Sequence, residues 1–419
     1  MEVAVKKPTR IFYGWWIVVA SFAAQMISGG VYTYGLSAFF QPLLDALQCS
    51  RVVLSGAFSL KGLETGLLGP LDGFLVDRFG AKKMTLFGTI MAGGGFILLG
   101  RISSVVAFYA VFILLAVGVA LGFHTALMTA IGNWFRKKRG LAFGITQSGL
   151  GMAGVIVPLI ALTITRQGWR FAAQVIGVGI LVVGIPIALV VKDSPERYGL
   201  LPDGEEQKPE LAGAKARAGE DEGFTVKEAL ATPAFWLLAT VFALRLMVTG
   251  AITTHVLPYL IDIGFKRETA ATALGSIAAV STVGRMGFGL LGDRLSKRLM
   301  IVALLASLAA SQLYLCQVSN IAELIIFVAL YAPSYGGLAV LMQSTRADYF
   351  GRRAFGTVMG YMNLFTSAGT AVGPIFTAWV WQRTGSYRLA FVIFAVTTLV
   401  ALVIMLWAKP PTKRITESR

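Results

Sequence analysis

Apolar residues along this chain gather into long, nearly uninterrupted runs set apart by short polar punctuation. A helix needs about 20 apolar residues to cross a bilayer core of roughly 30 Å. Twelve stretches meet that need, over approximately 13–40, 52–76, 84–100, 104–130, 140–164, 171–191, 230–261, 269–292, 299–318, 321–346, 355–380 and 387–408. One long polar segment, about 192–227 and rich in Glu, Lys, Gly and Ala, separates span six from span seven. It reads as a surface linker. The expected organisation is an amino-terminal six-helix bundle over 1–191, a cytoplasmic linker over 192–229 and a carboxy-terminal six-helix bundle over 230–419. The first run follows Lys6, Lys7 and Arg10 and lacks a small-residue cleavage site before the next polar loop, so it reads as a retained helix, not a signal peptide.

Composition agrees with that pattern. Apolar residues make up 56% of the 419 and charged ones 14%, with a mean hydropathy of +0.72. Globular domains carry roughly 25% charge, so this chain has no adequate hydrophilic coat for water and its solvent is lipid. The net charge of +16 would suggest nucleic acid in a soluble domain. Here placement decides: with the amino terminus inside, 26 of the 37 Lys and Arg fall on the inner side, counting Arg346 in the loop after span ten, and 8 fall outside. Lys61, Arg245 and Arg285 lie within spans. That asymmetry reports topology, with both termini cytoplasmic in a plasma (inner) membrane, and excludes nucleic acid as the partner. Cys49 and Cys316 lie in different halves and the only histidines are His124 and His255, so no metal site, disulfide framework or cofactor is expected.

The two halves repeat each other. Gly73-x-x-x-Asp77-Arg78 after span two recurs as Gly289-x-x-x-Asp293-Arg294 after span eight, an offset of 216. The same offset relates Lys82 to Arg298, Arg136 to Arg352, Gly140 to Gly356, Gly144 to Gly360 and Pro158 to Pro374. Matches at one offset, spread over each half, indicate a parallel duplication.

With these motifs the chain resembles the major facilitator superfamily, whose signature G-x-x-x-D-R-x-G-x-[KR]-[KR] is met by Gly73 to Lys83. Within it the chain is similar to the branch of monocarboxylate transporters and oxalate/formate exchangers. That similarity rests on Thr232-Pro-Ala-Phe-Trp236, His255-x-x-Pro-Tyr-Leu-x-Asp262-x-Gly264, Arg285, Asn133-Trp-Phe-x-x-x-Arg-Gly-Leu-Ala142 and Tyr335-Gly-Gly with Asp348-Tyr-Phe-Gly351. The resemblance implies an all-α membrane protein of twelve transmembrane helices in two pseudo-symmetric bundles that rock about a central site. The branch implies small carboxylates as cargo.

Ionisable groups at depth are costly and by default line a cavity or pair with one another. Arg285 lies eight residues before Asp293, about 12 Å from the inner face. A guanidinium is permanently charged and its fork receives a carboxylate with two parallel hydrogen bonds, and no acidic residue lies within four positions of Arg285. The alternative is a structural arginine paired from another helix. His255 and His124 also lie deep, where an imidazole can carry a proton, donate to a substrate or simply pack. His124 falls where related exchangers place a substrate-facing aromatic. Tyr32, Tyr331 and Tyr335 are candidates to close the cavity and offer hydroxyls. Lys61 and Glu64, three residues apart, read as an intramembrane pair, structural or proton-coupled. Gly73, Asp77, Arg78, Gly289, Asp293 and Arg294 are expected to latch helices on the inner side. Arg245 has no partner in its own helix and no assigned role.

The chain departs from its branch in two places. Span eleven has no basic residue where dicarboxylate exchangers carry a lysine, and Ser281 stands where animal monocarboxylate transporters place an acid one turn before the arginine. Span one also lacks their lysine. One cationic anchor suits a monoanion. The expected function is therefore a monomeric, proton-coupled symporter of a small monocarboxylate such as lactate or pyruvate, with His255, His124 and Glu64 as candidate proton carriers. A carboxylate antiporter is the second reading and a transporter-like sensor a third. An enzyme is not expected, because no nucleophile with a base and no metal cluster is visible.

Overall fold

The computed structural model describes residues 11–49, 53–54, 68–204 and 223–411. Among them twelve principal helices follow one another. The first six are α1 (Gly14–Leu47), α2 (Gly69–Phe79), α3 (Ala81–Leu99), α4 (Val105–Trp134), α5 (Arg139–Gln167) and α6 (Trp169–Val190). After the linker come α7 (Pro233–Asp262), α8 (Arg267–Gly292), α9 (Lys297–Leu315), α10 (Ile321–Phe350), α11 (Phe355–Thr384) and α12 (Arg388–Trp407). Among the described residues nine helices are long and apolar enough to cross a membrane. The expected second span falls largely outside the described residues, and so do Lys61 and Glu64.

Local chemistry sets the ends. Thr232 Oγ1 accepts from the Phe235 amide at 3.3 Å, and Pro233 takes a first-turn position that needs no donor. Asn320 Oδ1 accepts from Glu323 N at 3.0 Å to start α10, and Gly385, at φ 67°, stops α11. α7, α10 and α11 each run for 30 residues, about 45 Å, which exceeds the hydrocarbon core by several turns. Hydropathy marks only the lipid-level part of such helices. That is why α1 continues to Leu47 and α10 to Phe350, beyond the spans read from the sequence. One count changes in consequence: Arg346 lies inside α10 and is buried, not in an inner loop.

Each half has its own apolar core, and at one end the halves meet. Val340, Ala347, Phe355 and Met359 of the second half join the core of the first. At that end the repeat is reciprocal. Asp77 accepts from the Gly356 and Thr357 amides at 3.0 and 2.8 Å and from Thr357 Oγ1 at 2.7 Å. Its counterpart Asp293 accepts from the Gly140 and Leu141 amides at 2.7 and 2.8 Å. Each carboxylate thus caps the helix that opens the same segment of the other half, where unpaired amides and the helix dipole favour an anion. Burial pushes the Asp293 carboxyl above its ordinary range, against the pull of its two amide bonds.

Glycines allow this approach. A Cβ on Gly73 would sit 2.0 Å from the Gly356 carbonyl oxygen, and one on Gly289 would sit 2.5 Å from that of Gly140. Arg139 of α5 adds an ion pair to Asp348 of α10 at 2.8 Å. Of the residues expected to form the latch, Gly73, Asp77, Gly289 and Asp293 make these contacts between the halves. Arg78 and Arg294 take no part in it: Arg78 lies over Phe74 and Phe79 of its own helix, and Arg294 is exposed.

The latch makes a prediction. Removing both capping carboxylates (Asp77→Ala with Asp293→Ala) should cost the closed end about 1 kcal/mol per site, roughly a fivefold shift in population each. Spin labels at the exposed Lys83 and Arg294 should then show a new, longer distance. An unchanged distance distribution would contradict this role.

Candidate functional site

Where α8 crosses α10, Gly284 packs on the Pro333 carbonyl and Gly336 on the Ser281 carbonyl; a Cβ on Gly336 would lie 2.0 Å from that oxygen. This approach brings Tyr335 of α10 beside Arg285 of α8, whose guanidinium carbon is 5.7 Å from the ring centre. Facing them, α5 also approaches through glycine: a Cβ on Gly144 would lie 2.6 Å from the Arg285 carbonyl oxygen, and one on Gly151 3.3 Å from Arg285 Nη1. In that space Nη1 donates to the Gln147 carbonyl at 3.2 Å, a bond from the second bundle to the first. Arg285 is 5% exposed and its Nε has no hydrogen-bond partner. Ser281, one turn earlier, donates to Ala278 O and supplies no charge.

Arg285 is not alone. Arg245 of α7, 6% exposed, donates from Nη2 to the Tyr335 carbonyl at 2.8 Å, and its guanidinium carbon lies 5.3 Å from the same ring. Arg346 of α10, 8% exposed, lies over the Phe242 ring at 4.4 Å, one turn of α7 from Arg245. It reaches Asn363 Oδ1 at 3.3 Å and Gln343 Oε1 at 3.4 Å. Among the described residues none of these three arginines belongs to an ion pair, and each has a buried Nε with no partner. This overturns the premise of a single cationic anchor. Three positions spread over two spans and an assumed loop gave no sequence signal of their meeting. The one available clue was Arg245, an unpaired charge in the middle of an apolar run. Withdrawing a charge from water costs several kcal/mol per ion, so such a cluster calls for an anion.

The other expected residues fall out unevenly. Tyr335 stacks on Tyr331 with centroids 6.0 Å apart, and Tyr331 stacks on Phe327, which forms a ladder of rings along one face of α10. Tyr331 is fully buried with an unpartnered hydroxyl. Tyr32 does not line the space between the bundles: it is buried in the first bundle beside Phe112. Tyr34 takes that place, 44% exposed and within electrostatic reach of Arg285 and Tyr335. Both lie in a π-helical stretch, Ser28–Tyr34, whose wider turn moves its residues off the faces that a 3.6 period assigns.

A second π-helical stretch, Ala120–Thr125, carries His124. Its Nδ1 accepts from Gln25 Nε2 at 3.4 Å, and Arg346 is in electrostatic range. His255, in contrast, stays within the second bundle. Its Nε2 donates to the Pro374 carbonyl at 3.1 Å and its ring lies 5.4 Å from Tyr387, so the contacts are with α11 and α12 and not with Arg285.

Two helical bundles, latched at one end around a buried cationic centre, define a membrane transporter. The chain matches the Major Facilitator Superfamily over residues 17–298 and 281–419, and it belongs to that superfamily. It is 28% identical over 418 residues to the oxalate:formate antiporter of Oxalobacter formigenes, covering 96% of this chain and 92% of that protein. It is 24% identical over 399 residues to monocarboxylate transporter 12-B of Danio rerio, covering 90% and 83%. Among solved structures, a variant of the E. coli fucose:proton symporter FucP superposes with a TM-score of 0.73 at 12% identity, covering 95% of this chain and all of that one, which supports the fold.

The α8–α10 crossing should be intolerant of added volume. Gly336→Val should push α10 off Ser281, destabilise the protein by about 1–3 kcal/mol as overpacking does, and displace Tyr335. A thermal unfolding midpoint equal to that of the wild type would contradict the packing described.

Proposed function

We propose that this protein carries small carboxylate anions across the membrane by alternating access, with Arg285 as the residue that receives the carboxylate. The observation that carries the reading is a buried guanidinium with free donors and no acidic partner among the described residues, bonded from one bundle to the backbone of the other. An anion there touches both bundles at once, so its binding energy differs between arrangements of the two, as a ligand that drives a conformational change requires. The latched end is read as cytoplasmic because the basic loops gather there, with both termini and the linker on that side of a plasma membrane. The relatives named for oxalate, formate and monocarboxylates agree with this cargo class.

Two couplings fit. Exchange of one carboxylate for another is favoured by the surplus of buried cations: a centre carrying Arg245, Arg285 and Arg346 reorients at least cost with an anion in it. Proton-linked uptake of a monocarboxylate such as lactate has a supporting observation of its own, the place of His124 within electrostatic range of Arg346.

Two measurements test this. Arg285→Lys keeps the charge but loses the fork, and should weaken lactate binding to purified protein at least tenfold, about 1.4 kcal/mol; wild-type affinity in Arg285→Ala would refute the assignment. In proteoliposomes, His124→Gln should abolish the acceleration of lactate uptake by an inward proton gradient. His255→Gln should lower uptake at every pH and keep that acceleration. Full acceleration in His124→Gln would leave exchange as the coupling.

A further inference from the structure

We infer that Arg245 is a second anion-binding residue, and that with Arg285 against the ring of Tyr335 it makes this centre a seat for a dianion, a short dicarboxylate. The inference rests on the carboxylate reading above and deepens it. The two guanidinium carbons lie 5.3 and 5.7 Å from one ring centre, which puts them within about 11 Å of each other. Each guanidinium has five N–H donors. The hydrogen bonds described use one on each, Nη2 of Arg245 to Tyr335 O and Nη1 of Arg285 to Gln147 O, and both Nε atoms are buried without a partner.

If Arg245 served only to hold the Tyr335 carbonyl, a neutral donor would do so without the cost of a buried charge. If the occupant carried one negative charge, one arginine of the pair would stay uncompensated, with Arg346 a turn of α7 away adding to the same field. Two carboxylates joined by a short carbon chain satisfy both forks by charge-assisted bonds of about 2.8 Å. The buried, unpartnered hydroxyl of Tyr331, stacked on Tyr335, is a further donor beside them.

The repeat supplies a separate argument. At the offset of 216 the counterparts of Arg245, Arg285 and Arg346 are Gly29, Gly69 and Ala130. The duplicated scaffold holds small residues at those positions and uses them for packing: Gly69 lies against Gly360 and Gly29 against Leu150 and Ala153. Helix crossing does not require an arginine there. The second half therefore carries its cations for something other than the fold.

The test is equilibrium binding to the full chain in nanodiscs, at neutral pH and fixed ionic strength, with lactate as monoanion and oxalate, malonate and succinate as dianions. At least one dicarboxylate should bind the wild type more tightly than lactate. Arg245→Gln should lower that preference at least tenfold, and Arg245→Lys, which restores the charge, should recover most of it. Unfolding midpoints of both variants verify that they are folded. Three results would overturn the inference: lactate binding with no dicarboxylate competing, an equal loss for monoanion and dianion in Arg245→Gln, or a preference unchanged in that variant. Wild-type protein that binds neither lactate nor any dicarboxylate would instead remove the carboxylate reading, and this inference with it.

Discussion

A guanidinium buried in a bilayer protein with no carboxylate partner among the described residues is the constraint on which the rest of this structure turns. A guanidinium withdrawn from water without a counter-ion is costly, and in the proposed function an anion offsets that cost. Much of the surrounding architecture permits that burial. Gly144 and Gly151 clear room for it on α5, and Gly336 lets α10 bring the Tyr335 ring alongside. Gln147 lends a single carbonyl, a partial compensation that leaves the remaining donors for a ligand.

The latch and the cationic centre act on the same pair of helices. α5 and α8 touch at Gly140 and Gly289, where Asp293 caps α5, and touch again about one turn away at Gly144 and Arg285. Both are close approaches to backbone, so parting α5 from α8 at this crossing breaks both. In the proposed function an anion on Arg285 and the Asp293 cap both bear on one element, the α5–α8 crossing, whose counterpart between α2 and α11 carries the matching Asp77 cap on Gly356. Binding shifts this equilibrium only by the difference in affinity between the two arrangements. The bond from Arg285 to the opposite bundle is a direct source of such a difference.

Much of this was legible in the chain before any coordinates. Runs of apolar residues gave the spans, and the 216-residue offset paired Asp77 with Asp293 and Gly140 with Gly356, the groups that meet reciprocally at the latch. What escaped had physical causes. Arg346 was placed in a loop because hydropathy ends where lipid ends, while α10 continues as a protein-packed helix to Phe350. Tyr34 gives no signal of its place in the sequence, because it ends a stretch that winds as a π-helix and departs from a regular 3.6 period. Arg245 and Arg285 lie 40 residues apart on different helices, and only the folded chain brings both to the ring of Tyr335.

The central claim is that negative charge on the ligand, not its shape, compensates the buried arginines. Calorimetric titration of the purified protein with lactate and with lactamide, its neutral isostere, tests this most directly. The account predicts measurable binding of lactate and at least a hundredfold weaker binding of lactamide, about 2.7 kcal/mol, because the amide offers one acceptor and no charge to the fork. Equal affinity for the two would contradict it.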